Sequence, residues 1–299
     1  MVKRPLVIFL CAATAAACSH LDVKGIFMPT GEGVEKRFEQ SMEMNKDLNA
    51  GKIQVQPSTH TGTAPGDYMF YVATDPHIDQ TSVNLSQFND AFRNDPEAAF
   101  GVILGDCTDV RDNLDKYMEA LAYNPEAHAY DHKIYHTLGN HDLFYNGWVD
   151  FKEKVGPATY WFEAVFEGGK DLYICLDTAT ATLGSKQTKW FRSFLAEHRQ
   201  DYRHCIILTH TNFFYTDNSQ AGSGNMPFEE SLALIDFLAE QKVTLVLQGN
   251  DHYREDMTYD NVRYTILGAI HDGAEAPEYL KVKITHEGAE FEWQIIAAS

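Results

Sequence analysis

Five short polar clusters recur along the chain in one order, each at or just after the end of an apolar run. Asp75-Pro76-His77 follows Tyr68–Thr74, Gly105-Asp106 follows Phe100–Leu104, and Gly139-Asn140-His141-Asp142 follows Ile134–Leu138. Thr209-His210 follows His204–Leu208, and Gly249-Asn250-Asp251-His252 follows Val243–Gln248. Carboxylates, imidazoles and carboxamides are hard and borderline donors suited to Mg, Mn, Fe or Zn. In open α/β sheets, groups just beyond the carboxyl ends of strands gather along one edge, where ligands bind. The pattern predicts one metal site assembled from most of the chain.

Each cluster alone is weak evidence. Asp-x-His is common, Gly139-Asn140 is a good turn pair, and a lone His210 is more often a hydrogen-bonded interior histidine than a ligand. The joint order carries the reading, and it resembles that of the calcineurin-like metallophosphoesterases. Their pattern is D-x-H, G-D-x-x-D, G-N-H-D or G-N-H-E, a later His, and G-H-x-H. The matching residues are Asp75 and His77; Gly105, Asp106 and Asp109; Gly139 to Asp142; His210; and Gly249, Asn250 and His252. The stretch Gly184-Ser185-x-Gln187-x-x-Trp190-Phe191 is similar to a helix of that family.

The resemblance spans about Tyr68–Ile295 and implies a centre of two divalent metal ions (Mn, Fe, Mg or Zn). Asp75, His77 and His252 would hold one ion, Asn140 and His210 the other, with Asp106 bridging. Two such ions, about 3.5–4 Å apart, repel each other unless a shared carboxylate and a bridging hydroxide relieve the repulsion, and that hydroxide is the nucleophile. The resemblance also implies that His141 protonates the departing oxygen while Asp109 fixes its tautomer. One position departs from the pattern: Asn250 stands where the family has an imidazole ligand of the second ion. Three readings stay open. Asn250 coordinates through its carboxamide oxygen and favours harder ions; Asp251 or His271 supplies the missing ligand; or the second site fills poorly in a weak or inactive relative.

The elements that must position these residues alternate from Tyr68 onward between apolar runs and helical patterns, which argues for an α/β fold. Helices are expected at Leu85–Asn94, Asn113–Tyr123, Ser185–Gln200 and Pro227–Gln241, the last with Phe228, Leu232, Ile235 and Leu238 as its core-facing stripe. Thr159–Phe166 and Asp171–Leu176 read as a hairpin across Gly168-Gly169. Val262–Leu267, Tyr279–Ile284 and Ala289–Ile295 read as antiparallel strands closing the domain. The resemblance implies a four-layer α/β/β/α sandwich of two mixed sheets, the calcineurin-like phosphoesterase fold. A helix over roughly Gly33–Leu48 makes residues 18–66 an N-terminal appendage to a catalytic domain of residues 67–299.

Thr211–Pro227 follows His210 and carries Phe213, Phe214 and Tyr215, so it reads either as a substrate-contacting loop or as a plain connection with rings in the core. Arg111 and Tyr145 follow metal clusters, although a solvated surface role suits them better. His128, His132 and His136 share a four-residue spacing, but the strand entering Gly139 contains His136 and forbids one helix through all three.

At the N-terminus, Lys3 and Arg4 precede the apolar Leu6–Ala17, and Ala15-Ala16-Ala17 precedes Cys18. Residues 1–17 read as an export signal, with an apolar run too short to span a bilayer. The residues before Cys18 resemble a bacterial lipobox, with Ala15 where leucine is commonest. Cys18 is therefore the expected lipid attachment point, and plain cleavage after Ala17 is the alternative. The expected location is the periplasm or cell envelope, with the membrane contacted through that lipid. No paired spacing such as C-x-x-C indicates a zinc module or disulfide framework. A net charge of −19 without a basic stripe weighs against a nucleic-acid polymer, leaving a small phosphorylated substrate; no protein partner is read. The expected activity is hydrolysis of a phosphate mono- or diester. The rival is an exported lipoprotein that binds phosphorylated ligands without turnover, or with weak turnover.

Overall fold

The strand Tyr68–Ala73 shows how the layers arise. Its side chains enter two cores in alternation: Tyr68, Phe70 and Val72 pack into one, Tyr71 and Ala73 into another. A strand buried on both faces reads as a continuous apolar run, as this one does. The computed structural model describes residues 31–47, 52–55, 64–108, 113–127, 129–214 and 226–297.

In chain order the strands are β1 (Lys52–Gln54), β2 (Tyr68–Ala73), β3 (Ala98–Ile103), β4 (Tyr123–Asn124), β5 (Ala129–Tyr130), β6 (Ile134–His136) and β7 (Tyr160–Phe166). There follow β8 (Gly169–Cys175), β9 (Cys205–Leu208), β10 (Leu245–Gln248), β11 (Glu255–Tyr259), β12 (Val262–Ile266), β13 (Glu278–Ile284) and β14 (Ala289–Ile295). The α-helices are α1 (Val34–Asp47), α2 (Val83–Asn94), α3 (Leu114–Ala120), α4 (Trp148–Lys154), α5 (Gly184–His198) and α6 (Phe228–Glu240).

Among the described residues a five-stranded sheet runs β14-β13-β2-β3-β6 and a seven-stranded sheet runs β1-β7-β8-β9-β10-β12-β11. Each has a parallel centre, β2, β3 and β6 in the first and β8, β9, β10 and β12 in the second. Antiparallel β13, β7 and β11 flank those centres. Between the sheets lies a core that includes Phe70, Phe100, Phe162, Tyr173, Leu208 and Leu247. A second core joins the five-stranded sheet to α2, α3 and α4 through Phe88, Tyr117 and Trp148; a third joins the other sheet to α5 and α6 through Phe191, Leu195 and Leu238. The architecture is the four-layer sandwich of two mixed sheets. No described helix is long and apolar enough to cross a membrane.

Three expectations change. Phe228 and Leu232 do not face the core; they are 64% and 46% exposed, while α6 buries Leu234, Ile235, Phe237 and Leu238. Phe237 packs on Phe191 of α5, with ring centroids 5.6 Å apart. That contact turns the helix so that a mixed face, small Ser231 included, meets the body. β12 does not close the domain beside β13; it runs parallel to β10 in the other sheet, and its antiparallel partner is β11. That strand, largely solvent-facing, carries Glu255, Asp256 and Thr258 and shows no apolar run. The helix after Asn113 stops at Ala120, and the chain then forms the β4–β5 hairpin.

Within residues 18–66 the expected helix appears as α1. It buries Val34 and Phe38, and Phe38 meets Trp190 of α5 with ring centroids 5.9 Å apart. β1 pairs with β7 at the sheet edge, so α1 and β1, the described elements of this stretch, are built onto the body.

Candidate metal centre

All five polar clusters leave the carboxyl ends of parallel-paired strands, β2, β3 and β6 in one sheet and β9 and β10 in the other. Their side chains meet. Asp106 Oδ1 lies 3.3 Å from His210 Nε2, and its Oδ2 lies 3.6 Å from His77 Nε2 and 4.0 Å from His141 Nε2. Asp75 Oδ1 is 3.3 Å from His252 Nε2 and 3.6 Å from His77 Nε2, and those two nitrogens are 3.1 Å apart. Asn140 Oδ1 is 3.0 Å from His210 Nε2. Three overlapping donor groups result: Asp75, His77 and His252; His77, Asp106 and His141; Asp75, Asp106 and His210. Asp75, Asp106 and His210 are a buried floor, whereas the side chains of His77, His141 and His252 keep 10%, 17% and 27% of their surface on an open side.

The donor set fits divalent cations. Among the described residues, the buried Oδ1 of Asp75 receives no hydrogen bond, a costly state for a carboxylate unless positive charge faces it. His210 Nδ1 lies 2.7 Å from the Leu104 carbonyl oxygen. A carbonyl only accepts, so Nδ1 carries the proton and Nε2 of the neutral ring presents a lone pair to the cluster. In the protein alone, burial works against charge on His210, but the Asp106 carboxylate outweighs it and raises the imidazole to about 9. Burial likewise opposes ionisation of Asp106, yet His210 and His141 hold it at about 2, and Asp75 is held well below the usual range against its burial by His252 and His210. A cation would take the place of those protons.

The carboxylates sit on backbone that most residues avoid. Asp75, His77, Asp106, Asn250 and His252 have φ of 52°, 40°, 50°, 71° and 63°, the left-handed region where non-glycine residues are strained and which clusters at functional sites. Two glycines make room for them. A Cβ on Gly139 would lie 2.1 Å from Asp106 Oδ1, and one on Gly249 would lie 2.7 Å from Asp75 Oδ2. The Thr74 hydroxyl and the Asn250 N–H donate to Asp75 Oδ2 at 2.6 and 3.0 Å.

Sequence reasoning missed Asp142, whose only signal was its place in the G-N-H-D run. It is buried and accepts the N–H groups of Cys107, Thr108 and Gly139 at 2.8, 3.3 and 2.9 Å, tying the Asp106 loop to the Asn140 loop. Burial and then repulsion from Asp106 push it up to about 7.

Other candidates fall differently. Asp109, Arg111, His128 and Tyr215 lie outside the described residues. Phe213 is buried and Phe214 stands edge-on to Tyr264 at 4.9 Å, so these two rings belong to the outer core rather than to a face above the metals. Tyr145 is exposed, His136 is buried within β6, and His132 lies at the surface. The Asn250 carboxamide nitrogen faces Asp251 Oδ1 at 3.4 Å.

A family description, Calcineurin-like phosphoesterase, matches residues 68–254, well over half of the chain and all five clusters. The chain belongs to the calcineurin-like phosphoesterase family. Among solved structures, the chain is similar to purple acid phosphatase PPD1 of yellow lupin, at 15% identity and a TM-score of 0.59, over 78% of this chain and 52% of that one. It thus spans about half of the lupin protein's length. It is also similar to GAP50, described as the anchor in the inner membrane complex of Plasmodium (13% identity, TM-score 0.58, 78% of this chain and 85% of that one). A dimetal phosphatase from Danio rerio matches at 13% identity and a TM-score of 0.52, over 79% of this chain and 100% of that one. Likeness at such identities is likeness of fold. No curated protein matches the chain. Family and cluster together suggest divalent metal ions and a phosphoesterase.

Proposed function

We propose that the chain hydrolyses the ester of a small phosphorylated substrate with two divalent cations, drawn from Mn, Fe, Mg or Zn. The observation that supports this most is the convergence of the three Asp/His groups, with Asp106 between the His77 and His210 sides. Asp75, His77 and His252 would hold one cation and Asn140 and His210 the other, with Asp106 shared and Asn250 contributing its carboxamide oxygen. When bound, the cations supply an activated water and offset charge on the phosphoryl oxygens. His141, on the open side, donates a proton to the leaving oxygen, and Asp109 holds its tautomer. The lupin and Danio rerio proteins of like fold are described as phosphatases, in keeping with this reading. Residues 67–299 form the catalytic domain of this proposal. Residues 1–17 direct export, Cys18 carries the lipid that holds the protein at the cell envelope, and residues 18–66 lie between.

Asn250 favours a second reading, an exported lipoprotein that binds phosphorylated ligands with little or no turnover. The Plasmodium structure is described as an anchor, and one fold hosts many functions. The deciding experiment loads the purified chain with Mn and assays 4-nitrophenyl phosphate and bis(4-nitrophenyl) phosphate alongside elemental analysis. Metal-dependent turnover of either ester supports the enzyme. Bound metal without turnover of both would overturn it in favour of the binder.

A further inference from the structure

His271 lies beyond the residues that match the family, on the loop joining β12 to β13, yet its ring stands beside two candidate ligands. Its centroid is 6.0 Å from that of His77 and 5.6 Å from that of His252. Those imidazoles line the open side of the cluster. The loop is fastened there by its backbone. Ile270 N–H donates to the Thr74 carbonyl at 3.0 Å, next to Asp75, and Ala269 N–H donates to the His252 carbonyl at 3.4 Å. Asp272 accepts the N–H groups of Val83 and Asn84 at 3.0 and 2.8 Å, which caps α2, and Asn84 Nδ2 donates to the His271 carbonyl at 3.1 Å. His271 is therefore held beside the site from two directions.

The proton on this ring is fixed as well. Gly273 N–H donates to His271 Nδ1 at 3.1 Å. A backbone N–H can only donate, so Nδ1 is a bare acceptor and the ring proton sits on Nε2. This is the reverse of His210, whose Nδ1 donates to the Leu104 carbonyl and leaves Nε2 as a lone pair. An imidazole that carries its proton on Nε2 does not ligate a cation through that atom, but it does donate to an anionic oxygen.

We propose that His271 is a substrate-binding residue whose Nε2–H donates to a terminal phosphoryl oxygen, and that it biases the site toward phosphate monoesters. The bias follows from the ligand's own chemistry. A monoester presents three terminal oxygens and a diester two, so an added donor strengthens binding of the monoester more. The proposal rests on the phosphoesterase reading and names its substrate class. It also removes His271 as the substitute for the imidazole missing at Asn250.

The test compares the metal-loaded full-length chain with H271A, H271N and H271Q. Asparagine keeps an acceptor for the Gly273 N–H but is too short to donate where Nε2 does; glutamine reaches farther and returns an amide N–H. Bound metal is expected to stay unchanged in all three. Affinity for inorganic phosphate, measured by calorimetry, should fall about tenfold or more in H271A and H271N and recover at least in part in H271Q. KM for 4-nitrophenyl phosphate should rise in the same order, with a smaller change for the diester. Metal loss would make His271 a ligand and overturn the proposal. So would unchanged phosphate affinity, or rescue by H271N rather than H271Q, which marks mere support of the loop. If the wild-type chain hydrolyses neither ester, the hydrolytic reading fails by itself, and the phosphate titration still decides the role of His271.

Discussion

Arg37 and Asp177 form a two-point ion pair with both side chains wholly buried, Nε to Oδ2 at 2.8 Å and Nη2 to Oδ1 at 3.1 Å. The pair joins α1, upstream of the family match, to the segment leaving β8. The next residue, Thr178, accepts the N–H groups of His210 and Thr211 on its hydroxyl oxygen at 3.2 and 3.0 Å. Arg37 is thus two residues removed from the backbone of a candidate ligand. Deleting one partner of a buried pair leaves an uncompensated charge. R37A is expected to lose about 3–5 kcal/mol of unfolding free energy, read by urea denaturation. It should also weaken metal binding on the His210 side more than on the His252 side, read by metal titration. Equal loss at both sides would confine Arg37 to general stability.

His141 separates proton donation from metal binding. Its Nε2 is 4.0 Å from Asp106 Oδ2, and it belongs to one of the three donor groups. If it acts as the leaving-group acid, H141A keeps the metals and slows turnover by roughly 10²–10⁴-fold. D106N, in contrast, removes the carboxylate common to two of the donor groups and should lose metal outright. Elemental analysis of both variants beside aryl-phosphate kinetics is the check, and metal loss in H141A would make His141 a ligand.

Asn250 can be tested by restoring the imidazole that the family pattern has there. Histidine already occupies left-handed backbone of similar φ two residues on, at His252 (63°). A carboxamide is a weaker donor than imidazole and favours harder ions. N250H is therefore expected to raise affinity for Zn on the Asn140–His210 side and to leave the His77–His252 side unchanged. Unchanged occupancy of the second site would discard the weak-ligand account.

The site was more legible in sequence than its surroundings because its parts are local. Each polar cluster abuts the strand that carries it, so type and order could be read directly, as at Asp75 after Tyr68–Ala73. What stayed hidden depends on partners distant in the chain. Nothing near Arg37 announces Asp177, 140 residues away. Nothing in Val262–Ile266 tells a parallel partner from an antiparallel one. The face of α6 was misread because apolar Phe228 and Leu232 fit the helical period as well as the residues that are buried. Asp142 went unread because its role, collecting three backbone N–H groups, exists only once two loops meet. The left-handed φ values of Asp75 and Asp106 likewise have no sequence mark.

His136 should make the protein sensitive to mild acid. It is buried in β6 between the rings of Tyr117 and Tyr130, and among the described residues its Nε2 has no hydrogen-bond partner. Burial, helped by Lys133, lowers its pKa to about 3. The folded value is depressed below an unfolded value of about 6.5, so between them the unfolded chain binds the extra proton. The stability that depends on neutral His136 is complete above about pH 6.5. It declines as pH falls toward 3, by up to about 1.4 kcal/mol per unit. H136F keeps a ring between the two tyrosines and removes the titration. Its urea midpoint is expected to change less than that of the wild type between pH 6.5 and 5, where most carboxylates are still ionised. Parallel midpoints across that range would mean that His136 gains its proton without unfolding, through rearrangement of the Tyr117 and Tyr130 side chains.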